Sequence, residues 1–340
     1  MTPASFSQIT DKYASLRLAI VGDFCLDRYL EIDPAREETS IETGLPVYNV
    51  VRVRAQAGAA GTILNNLVAL GVGCLYAVGF AGEDGEGYEL RRALSQSPGV
   101  RMDHFLQTPE RRTFTYCKPL LVGGSQPPVE LNRLDSKNWT PTPESLGHAM
   151  AVRLTGLAPQ LDAIIVMEQV DLPETGVITG SVRAALGEIA AAHPALPIVA
   201  DSRRGLADYP SVAFKMNLAE LCALLNRHDG LGIGEAKEGA RQMAARSGKP
   251  VFVTMAENGI IGATPDGSVA HIESFPVRGP IDIVGAGDSV TANLGAALAA
   301  GASVSEAMEL AMAAASTVIH QLGTTGVATI REIAALVENR

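Results

Sequence analysis

The segment at residues 282–288, with the sequence DIVGAGD, contains the residue types that could transfer a phosphoryl group. Gly285 and Gly287 stand on either side of Ala286, directly before a pattern that predicts a helix over residues 285–300. Amide groups at a helix N-terminus bind anions, and glycines leave those amides open to approach. The three residues therefore predict an anion hole for the oxygens of a phosphoryl group in transit.

Asp288 follows this turn and could accept the proton of a hydroxyl that attacks the phosphorus. An aspartate also caps helices, so a tight turn with a simple N-cap is an alternative interpretation of the GAGD string. Neither a Walker A motif nor G-x-G-x-x-G is present, because Val290 occupies the third-glycine position and no lysine adjoins the strand. A kinase built on this segment would be neither of the P-loop nor of the protein-kinase type.

The elements that must position this segment follow an alternating pattern in the second half of the chain. The predicted strands lie at 163–167, 197–200 and 251–254, and the predicted helices lie at 178–192, 219–225, 234–247 and 304–321. That alternation indicates right-handed βαβ units on a mostly parallel sheet. A further strand at 16–21 opens into a loop at its carboxyl end, where ligands of such sheets bind.

Two stretches of the first half predict a small β appendage. Residues 24–54 mix β-branched residues with charged and turn residues, and residues 112–134 contain two strand patterns around a turn-rich centre. We predict that both form a lid on a single domain of residues 1–340. A helix rich in small and aliphatic residues is predicted at 58–70.

The composition excludes several classes of partner. The net charge is -10 and the pI is about 5.1, which disfavours nucleic acid and anionic membranes as partners. The four cysteines are far apart and predict neither a disulfide framework nor a zinc cluster. No apolar run reaches the roughly 18 residues of a membrane span, and no signal-peptide pattern opens the chain, so we predict a cytoplasmic protein.

Several stretches, taken in order, resemble the ribokinase-like (PfkB) carbohydrate kinases. They read VGDFCLDRY, AGAAGTILNNLVALG, KMNLAE, VTMAENG and DIVGAGDS, and the first, together with LPVYNV, is similar to the heptose 7-phosphate kinase branch. The resemblance implies a three-layer α/β/α sandwich with a mostly parallel central sheet and a β lid. It also implies phosphoryl transfer from ATP with Mg²⁺ to a sugar-like substrate, room for a monovalent cation, and a homodimer formed through the lid.

On the nucleotide side, the resemblance implies that Asn217 and Glu220 act on the phosphates and Mg²⁺, with Glu220 reaching the metal through water. Each has a structural alternative, because Asn217 could simply cap the following helix and Glu220 could complete a capping box. Thr254, Glu257 and Gly259 lie where the family holds the nucleotide, although a strand end and a turn would need the same residue types.

On the acceptor side, the resemblance implies that Asp27, Gly58 and Thr62 contact the substrate. Thr62 stands where the family usually has an asparagine, and Glu38 stands near the place where heptose kinases carry an arginine. An acidic residue there would disfavour a phosphorylated substrate. The acceptor therefore stays open between a sugar phosphate and a neutral sugar, nucleoside or small alcohol. An alternative from a different functional class is a protein that binds a nucleotide or a sugar and is catalytically weak.

Overall fold

The computed structural model describes residues 1–123, 128–227 and 230–338, and its strands form one large sheet and two smaller ones. The strands are β1 Arg17–Gly22, β2 Phe24–Ile32, β3 Glu38–Thr39, β4 Pro46–Val47, β5 Val50–Ala59, β6 Cys74–Gly82, β7 Val100–Arg101, β8 Phe105–Thr108, β9 Thr115–Leu121, β10 Val129–Glu130, β11 Leu134–Ser136, β12 Ala163–Glu168, β13 Ile198–Ser202, β14 Ala213–Asn217, β15 Val251–Thr254, β16 Ile260–Ala263 and β17 Val269–Ile272.

Ten α-helices are described, together with four short 3-10 turns. They are α1 Pro3–Thr10, α2 Ala60–Ala69, α3 Gly85–Ser95, α4 Glu144–Leu157, α5 Gly180–Ala192, α6 Leu218–Leu224, α7 Ile233–Ser247, α8 Ala286–Ala299, α9 Val304–Val318 and α10 Ile330–Val337. Helix α3 corresponds to a charged helix that the sequence predicts at residues 87–95, whereas helices α1, α4 and α10 come in addition to the predicted helices. Within the described ranges, no helix combines the length and the apolar character needed to cross a bilayer.

The large sheet has the strand order β17-β16-β15-β14-β13-β12-β1-β6-β7, with β8 beside β6. All pairs from β15 to β7 are parallel, and the hairpin strands β16 and β17 are antiparallel. The chain places β6 on one side of β1 and later places β12 on the other. Ligands of such sheets bind at the carboxyl ends of the strands near this reversal.

Alternating side chains of the central strands build two apolar cores on opposite faces of the sheet. Leu18 and Ile20 of β1 belong to the core that includes α2, α8 and α9, whereas Ala19 and Val21 belong to the core that includes α4, α5 and α7. This period of two is what a parallel strand covered on both faces requires. The three-layer α/β/α sandwich predicted from the sequence is confirmed.

The small sheet has the order β10-β9-β2-β5, with β11 also paired to β9. Strand β5 continues through Ala59, where Cys25 pairs with Gly58 and Phe24 with Ala59. The helix predicted at 58–70 was therefore wrong at its start: α2 begins at Ala60, because pairing with β2 holds the two preceding residues in the sheet. The small sheet thus leads directly into a helix of the main body.

Residue Asp23, between β1 and β2, fixes the loop that follows β12. Its buried carboxylate accepts hydrogen bonds from the amides of Gln169, Val170 and Val177, at 2.8, 3.1 and 2.7 Å. Burial raises the pKa of Asp23 to about 6 although these amides act against the shift. Gly22 has a φ of +153°, and a Cβ atom there would lie 2.0 Å from the carbonyl oxygen of Met167, so the approach of β1 to β12 requires glycine.

Candidate active site

A cavity of about 660 Å³ lies where the carboxyl ends of β12, β13, β14 and β15 meet the small sheet. Eight of the residues singled out from the sequence line it: Asp27, Thr62, Asn217, Glu220, Thr254, Gly285, Gly287 and Asp288. The sequence had not pointed to the other polar residues of the wall, among them Tyr116, Lys118, Arg133, Lys137, Gln169, Asp201, Arg203, Lys215 and Thr325. The cavity therefore joins residues of the N-terminal and C-terminal halves.

The N-terminus of α8 forms one wall of this cavity. Gly285 caps the helix with a φ of +83°, a left-handed conformation that favours glycine. The amide of Ala286 donates to the carbonyl oxygen of Ile283 at 3.2 Å. The amides of Gly285, Gly287 and Asp288 have no acceptor among the residues that the structure describes. The donors open to an anion are therefore those three, and Ala286 contributes only its position in the turn.

The carboxylate of Asp288 faces the same cavity from the first turn of α8. Within the described part of the chain it has no hydrogen-bond or ion-pair partner. Burial raises its pKa to about 7, and the nearby negative charge of Asp201 adds to the shift, while Lys215 and Arg203 oppose it. A carboxylate with a pKa near neutrality is suited to accept a proton at physiological pH.

Lys215 on β14 lies beside the glycine turn, although the sequence had given it no role. A Cβ atom added at Gly287 would lie 3.3 Å from its Nζ atom. This lysine is not part of a Walker A motif, because it comes from another strand of the sheet, about seventy residues earlier in the chain. A lysine inside the buried apolar run AFKMN was the available signal, since lysine is rarely buried without a function or a partner.

On the nucleotide side, Asn217 and Glu220 form the helix cap that was their alternative interpretation, and both also line the cavity. Asn217 Oδ1 accepts from the Glu220 amide at 2.9 Å, and Glu220 Oε2 accepts from the Asn217 amide at 2.7 Å, which is a capping box for α6. Burial raises the pKa of Glu220. The capping box uses one oxygen of each side chain, so the carboxylate of Glu220 still has an oxygen facing the cavity.

Thr254 also lines the cavity, at the end of β15, whereas Glu257 and Gly259 do not. Gly259 has a φ of +83°, and a Cβ atom there would lie 2.0 Å from the carbonyl oxygen of Ile272. Glu257 accepts a hydrogen bond from Ser274 through its backbone oxygen at 2.6 Å. The close approach of this turn to the end of β17 explains why position 259 is a glycine, so no contact with a nucleotide is needed to account for it.

On the acceptor side, Asp27 projects from β2 into the cavity and is 6% exposed. Burial raises its pKa, against the opposing charge of Lys118, whose Nζ atom lies 3.4 Å from Asp27 Oδ1. Gly58 does not line the cavity, but a Cβ atom there would lie 2.5 Å from Asp27 Oδ2. Gly58 therefore leaves room for the Asp27 carboxylate. Thr62 reaches the cavity from α2, and its hydroxyl has no partner among the described residues.

The small sheet adds positive charge to the acceptor side. Lys118 of β9 and Arg133, just before β11, line the cavity, and the guanidinium of Arg133 lies 5.1 Å from the ring centre of Tyr116. Lys137 follows β11 in the same wall. Glu38, which the sequence placed near the substrate, is exposed on β3 and does not line this cavity.

Comparison with known proteins agrees with this geometry. The sequence pattern described as "pfkB family carbohydrate kinase" matches residues 21–330. The chain belongs to this family. The description of the family names carbohydrate kinases, which is the family that the sequence resembles.

Similar curated proteins extend beyond the region that they share with this chain. The bifunctional protein HldE of Rhodospirillum rubrum is 33% identical over 343 aligned residues, covering 98% of this chain and 65% of that protein. HldE of Hyphomonas neptunium is 30% identical over 332 residues, covering 97% of this chain and 65% of that protein. This chain therefore spans about 65% of the length of these relatives.

Solved structures share the fold. Arabidopsis thaliana ribokinase complexed with ribose and ATP superposes with a TM-score of 0.68 at 18% identity, covering 95% of this chain and 99% of that one. Escherichia coli phosphofructokinase-2 in complex with fructose-6-phosphate gives a TM-score of 0.66 at 17% identity, with 95% and 99% covered. These likenesses confirm the ribokinase-like fold.

The residues of the cavity fit ATP with Mg²⁺ better than they fit a metal cage. Among the described residues, no group of three or more His, Cys, Asp or Glu side chains could hold a metal ion. Mg²⁺ commonly keeps several waters and is bound by one or two carboxylates together with substrate phosphates. Glu220 is the carboxylate in place for that arrangement, and Lys215, Arg203 and the α8 amides are the groups that would face the phosphates.

We expect the rate to depend on the ionisation of Asp288. Its carboxylate can accept a proton only when ionised, and its pKa of about 7 means that lowering the pH through neutrality protonates it. In the free enzyme kcat/KM should therefore fall about tenfold for each pH unit below about 6 and level off above about 8. Initial rates across this range measure the effect, with circular dichroism at each pH as the control for folding. A flat profile down to about pH 5 would contradict it.

Proposed function

We propose that this protein transfers the γ-phosphoryl group of ATP to a hydroxyl of a sugar or sugar phosphate. The observation that carries the proposal is the meeting of three features in one cavity: the open amides of α8, the unpaired Asp288 carboxylate, and Asp27 on the small sheet. The similar structures with ribose and ATP, or with fructose-6-phosphate, support this choice of ligands.

In the proposed reaction Asp288 accepts the proton of the acceptor hydroxyl. The amides of Gly285 and Gly287 stabilise the charge that spreads over the transferred group, and Asp27 accepts hydrogen bonds from substrate hydroxyls. Glu220 is the residue that would hold Mg²⁺ together with the nucleotide, and the ion would neutralise charge on the phosphates. The small sheet acts as a lid, because it forms the wall of the cavity that would otherwise open to water.

The acceptor that the cavity supports best already carries a phosphate. Lys118, Arg133 and Lys137 bring three cations from the small sheet to a chain whose net charge is -10. Each of these cations has a carboxylate partner, Asp27, Asp135 and Asp171 respectively. Each also keeps further N–H donors, which a phosphate of the acceptor can use. Of the two residues that favoured a neutral acceptor, Glu38 lies outside the cavity and Thr62 lies in its wall, so the charge argument against a phosphate does not apply.

The direct test is an assay of the purified protein with ATP, Mg²⁺ and a panel of sugars and sugar phosphates. We expect transfer by the wild type and a loss of at least about 1000-fold in kcat for Asp288→Asn, because the variant cannot accept the proton. The same variant should unfold at a higher temperature at pH 8, since it removes a desolvated charge beside Asp201.

Two outcomes would contradict the kinase proposal. One is the absence of transfer by the wild type across the whole panel while ATP still binds. The other is full activity in Asp288→Asn. Asp208→Asn, a matched change at an exposed carboxylate outside the cavity, should keep wild-type rates.

The choice of acceptor is tested at Arg133. We expect Arg133→Met to raise the KM for a phosphorylated sugar by about 10- to 100-fold and to leave the KM for ATP unchanged, because only the acceptor phosphate loses a partner. Arg241→Met is the matched control, since Arg241 is an exposed arginine of α7 outside the cavity. If the wild type prefers a neutral sugar to its phosphate, the proposal of a phosphorylated acceptor is wrong, whereas the proposal that the protein is a kinase still stands.

We also propose that the outer part of the small sheet joins two copies of this chain. Strand β5 lies at the sheet edge, and apolar side chains that include Tyr48, Val51 and Val53 are about half exposed there. Unpaired edges and apolar patches favour association. Sedimentation should give a dimer that Val51→Lys dissociates, and a wild-type monomer at micromolar concentration would exclude this interface.

A further inference from the structure

The ammonium group of Lys215 is held in one position by two neighbouring elements. Ala200 of β13 pairs with Phe214 of β14, so the next residues along each strand, Asp201 and Lys215, stand side by side. Lys215 Nζ lies 2.8 Å from Asp201 Oδ2, and both residues are buried. Burial acts to lower the pKa of Lys215. The charge and hydrogen bond of Asp201, together with the charges of Asp288 and Glu220, outweigh burial, so the pKa is raised and the group stays charged.

Helix α8 is connected to this ion pair through Thr291. The hydroxyl of Thr291 lies 2.9 Å from Asp201 Oδ2 and 3.0 Å from the carbonyl oxygen of Gly287, one turn earlier in the helix. The same carboxylate oxygen thus contacts the lysine and the helix. This arrangement sets the distance between the ammonium group and the first turn of α8.

The ammonium group also faces the cavity. Lys215 lines it, and the 3.3 Å between its Nζ atom and the Cβ position of Gly287 puts the charge against the turn whose amides are open. Within the described residues, its ion-pair partner is Asp201 alone. A lysine ammonium has three N–H donors, so donors remain for a ligand at the α8 amides.

Stability alone does not account for this arrangement. A buried ion pair is often no more stable than a pair of apolar residues of similar size, because desolvation of the two charges offsets their attraction. The pair would therefore bring little to folding at a position where β14 is otherwise apolar. The orientation of Lys215 toward an anion site gives the pair a role in the reaction.

We propose that Lys215 is a catalytic residue that donates hydrogen bonds to the phosphoryl group in transit, and that Asp201 and Thr291 are its positioning residues. This inference rests on the proposed kinase function. The bond from phosphorus to the acceptor oxygen forms while the bond to the ADP oxygen breaks, and the acceptor proton moves to Asp288. Lys215 keeps its proton and stabilises the charge on the equatorial oxygens.

The test compares Lys215→Met with Lys249→Met, a lysine at the opposite ends of the strands that contacts a backbone oxygen. We expect Lys215→Met to lower kcat by at least about 100-fold and to change the KM of the acceptor by less than about threefold. Lys249→Met should keep wild-type kinetics.

Binding gives a readout that does not need turnover. The wild type should bind a non-hydrolysable ATP analogue more tightly than it binds ADP. In Lys215→Met this preference should fall about tenfold, while the affinity for ADP should stay within about threefold of the wild-type value. Titration calorimetry measures both affinities. Because this preference is read without an acceptor, it tests Lys215 even if no sugar of the panel is phosphorylated.

A double variant separates catalysis from folding. Lys215→Met leaves Asp201 buried without its partner and could unfold the protein, whereas Asp201→Asn with Lys215→Met removes both charges and should keep the thermal stability of the wild type. The double variant should still lack the activity. If either variant folds and keeps kcat and the analogue preference within about threefold of the wild type, Lys215 has no catalytic role.

Thr291 provides the test of positioning. Thr291→Val keeps the shape of the side chain and removes the hydroxyl, so we expect kcat to fall about three- to tenfold with an unchanged KM for ATP. Thr291→Ser should restore the rate, because it restores the hydroxyl. Equal rates in the valine and serine variants would show that the hydroxyl does not position Lys215.

Discussion

The site depends on one packing constraint, which is the burial of helix α8 against the sheet with its N-terminus at the carboxyl ends of the strands. A Cβ atom at Gly295 would lie 2.4 Å from the side chain of Ile165 on β12, so the helix approaches the sheet more closely than a larger residue would allow. Residues 289–297 of this helix are buried. Because α8 is fixed along its length, its first turn presents amides and the Asp288 carboxylate at a set height above the sheet.

The first turn of α8 lies in a region of low dielectric that holds several negative charges. Asp201, Glu220 and Asp288 all line the cavity, and burial raises the pKa of both Glu220 and Asp288. Lys215 and Arg203 offset the effect at Asp288. The Asp288 carboxylate, which has no partner among the described residues, and the open amides of α8 are unfavourable for folding. Such a cost to stability is common at functional sites. The large apolar cores on both sides of the sheet supply the stability that the site does not.

The small sheet is coupled to the same site through the chain itself. Strand β2 follows β1 after a single residue, Asp23, and strand β5 runs without a break into α2. Any movement of the small sheet would therefore displace Asp27 and the N-terminus of α2, and with it Thr62, relative to Asp288. The glycine at position 58 allows β5 to pass directly behind the Asp27 carboxylate. The acceptor side and the donor side of the cavity are thus connected directly by the backbone.

The sequence by itself determined the sandwich and the family and predicted the place of the reaction, because these depend on local patterns: period-two apolar strands, helix signals, and glycines directly before an aspartate. The tertiary structure decided which cations join that aspartate. Lys215 and Asp201 become neighbours only through the pairing of β13 with β14, and Lys118 and Arg133 reach the cavity only through the small sheet. It also showed that Glu257 and Gly259 belong to a turn outside the cavity. Local patterns indicate whether a segment is a helix, a strand or a turn. A cluster of charges depends on strand order and register, which one sequence alone does not specify.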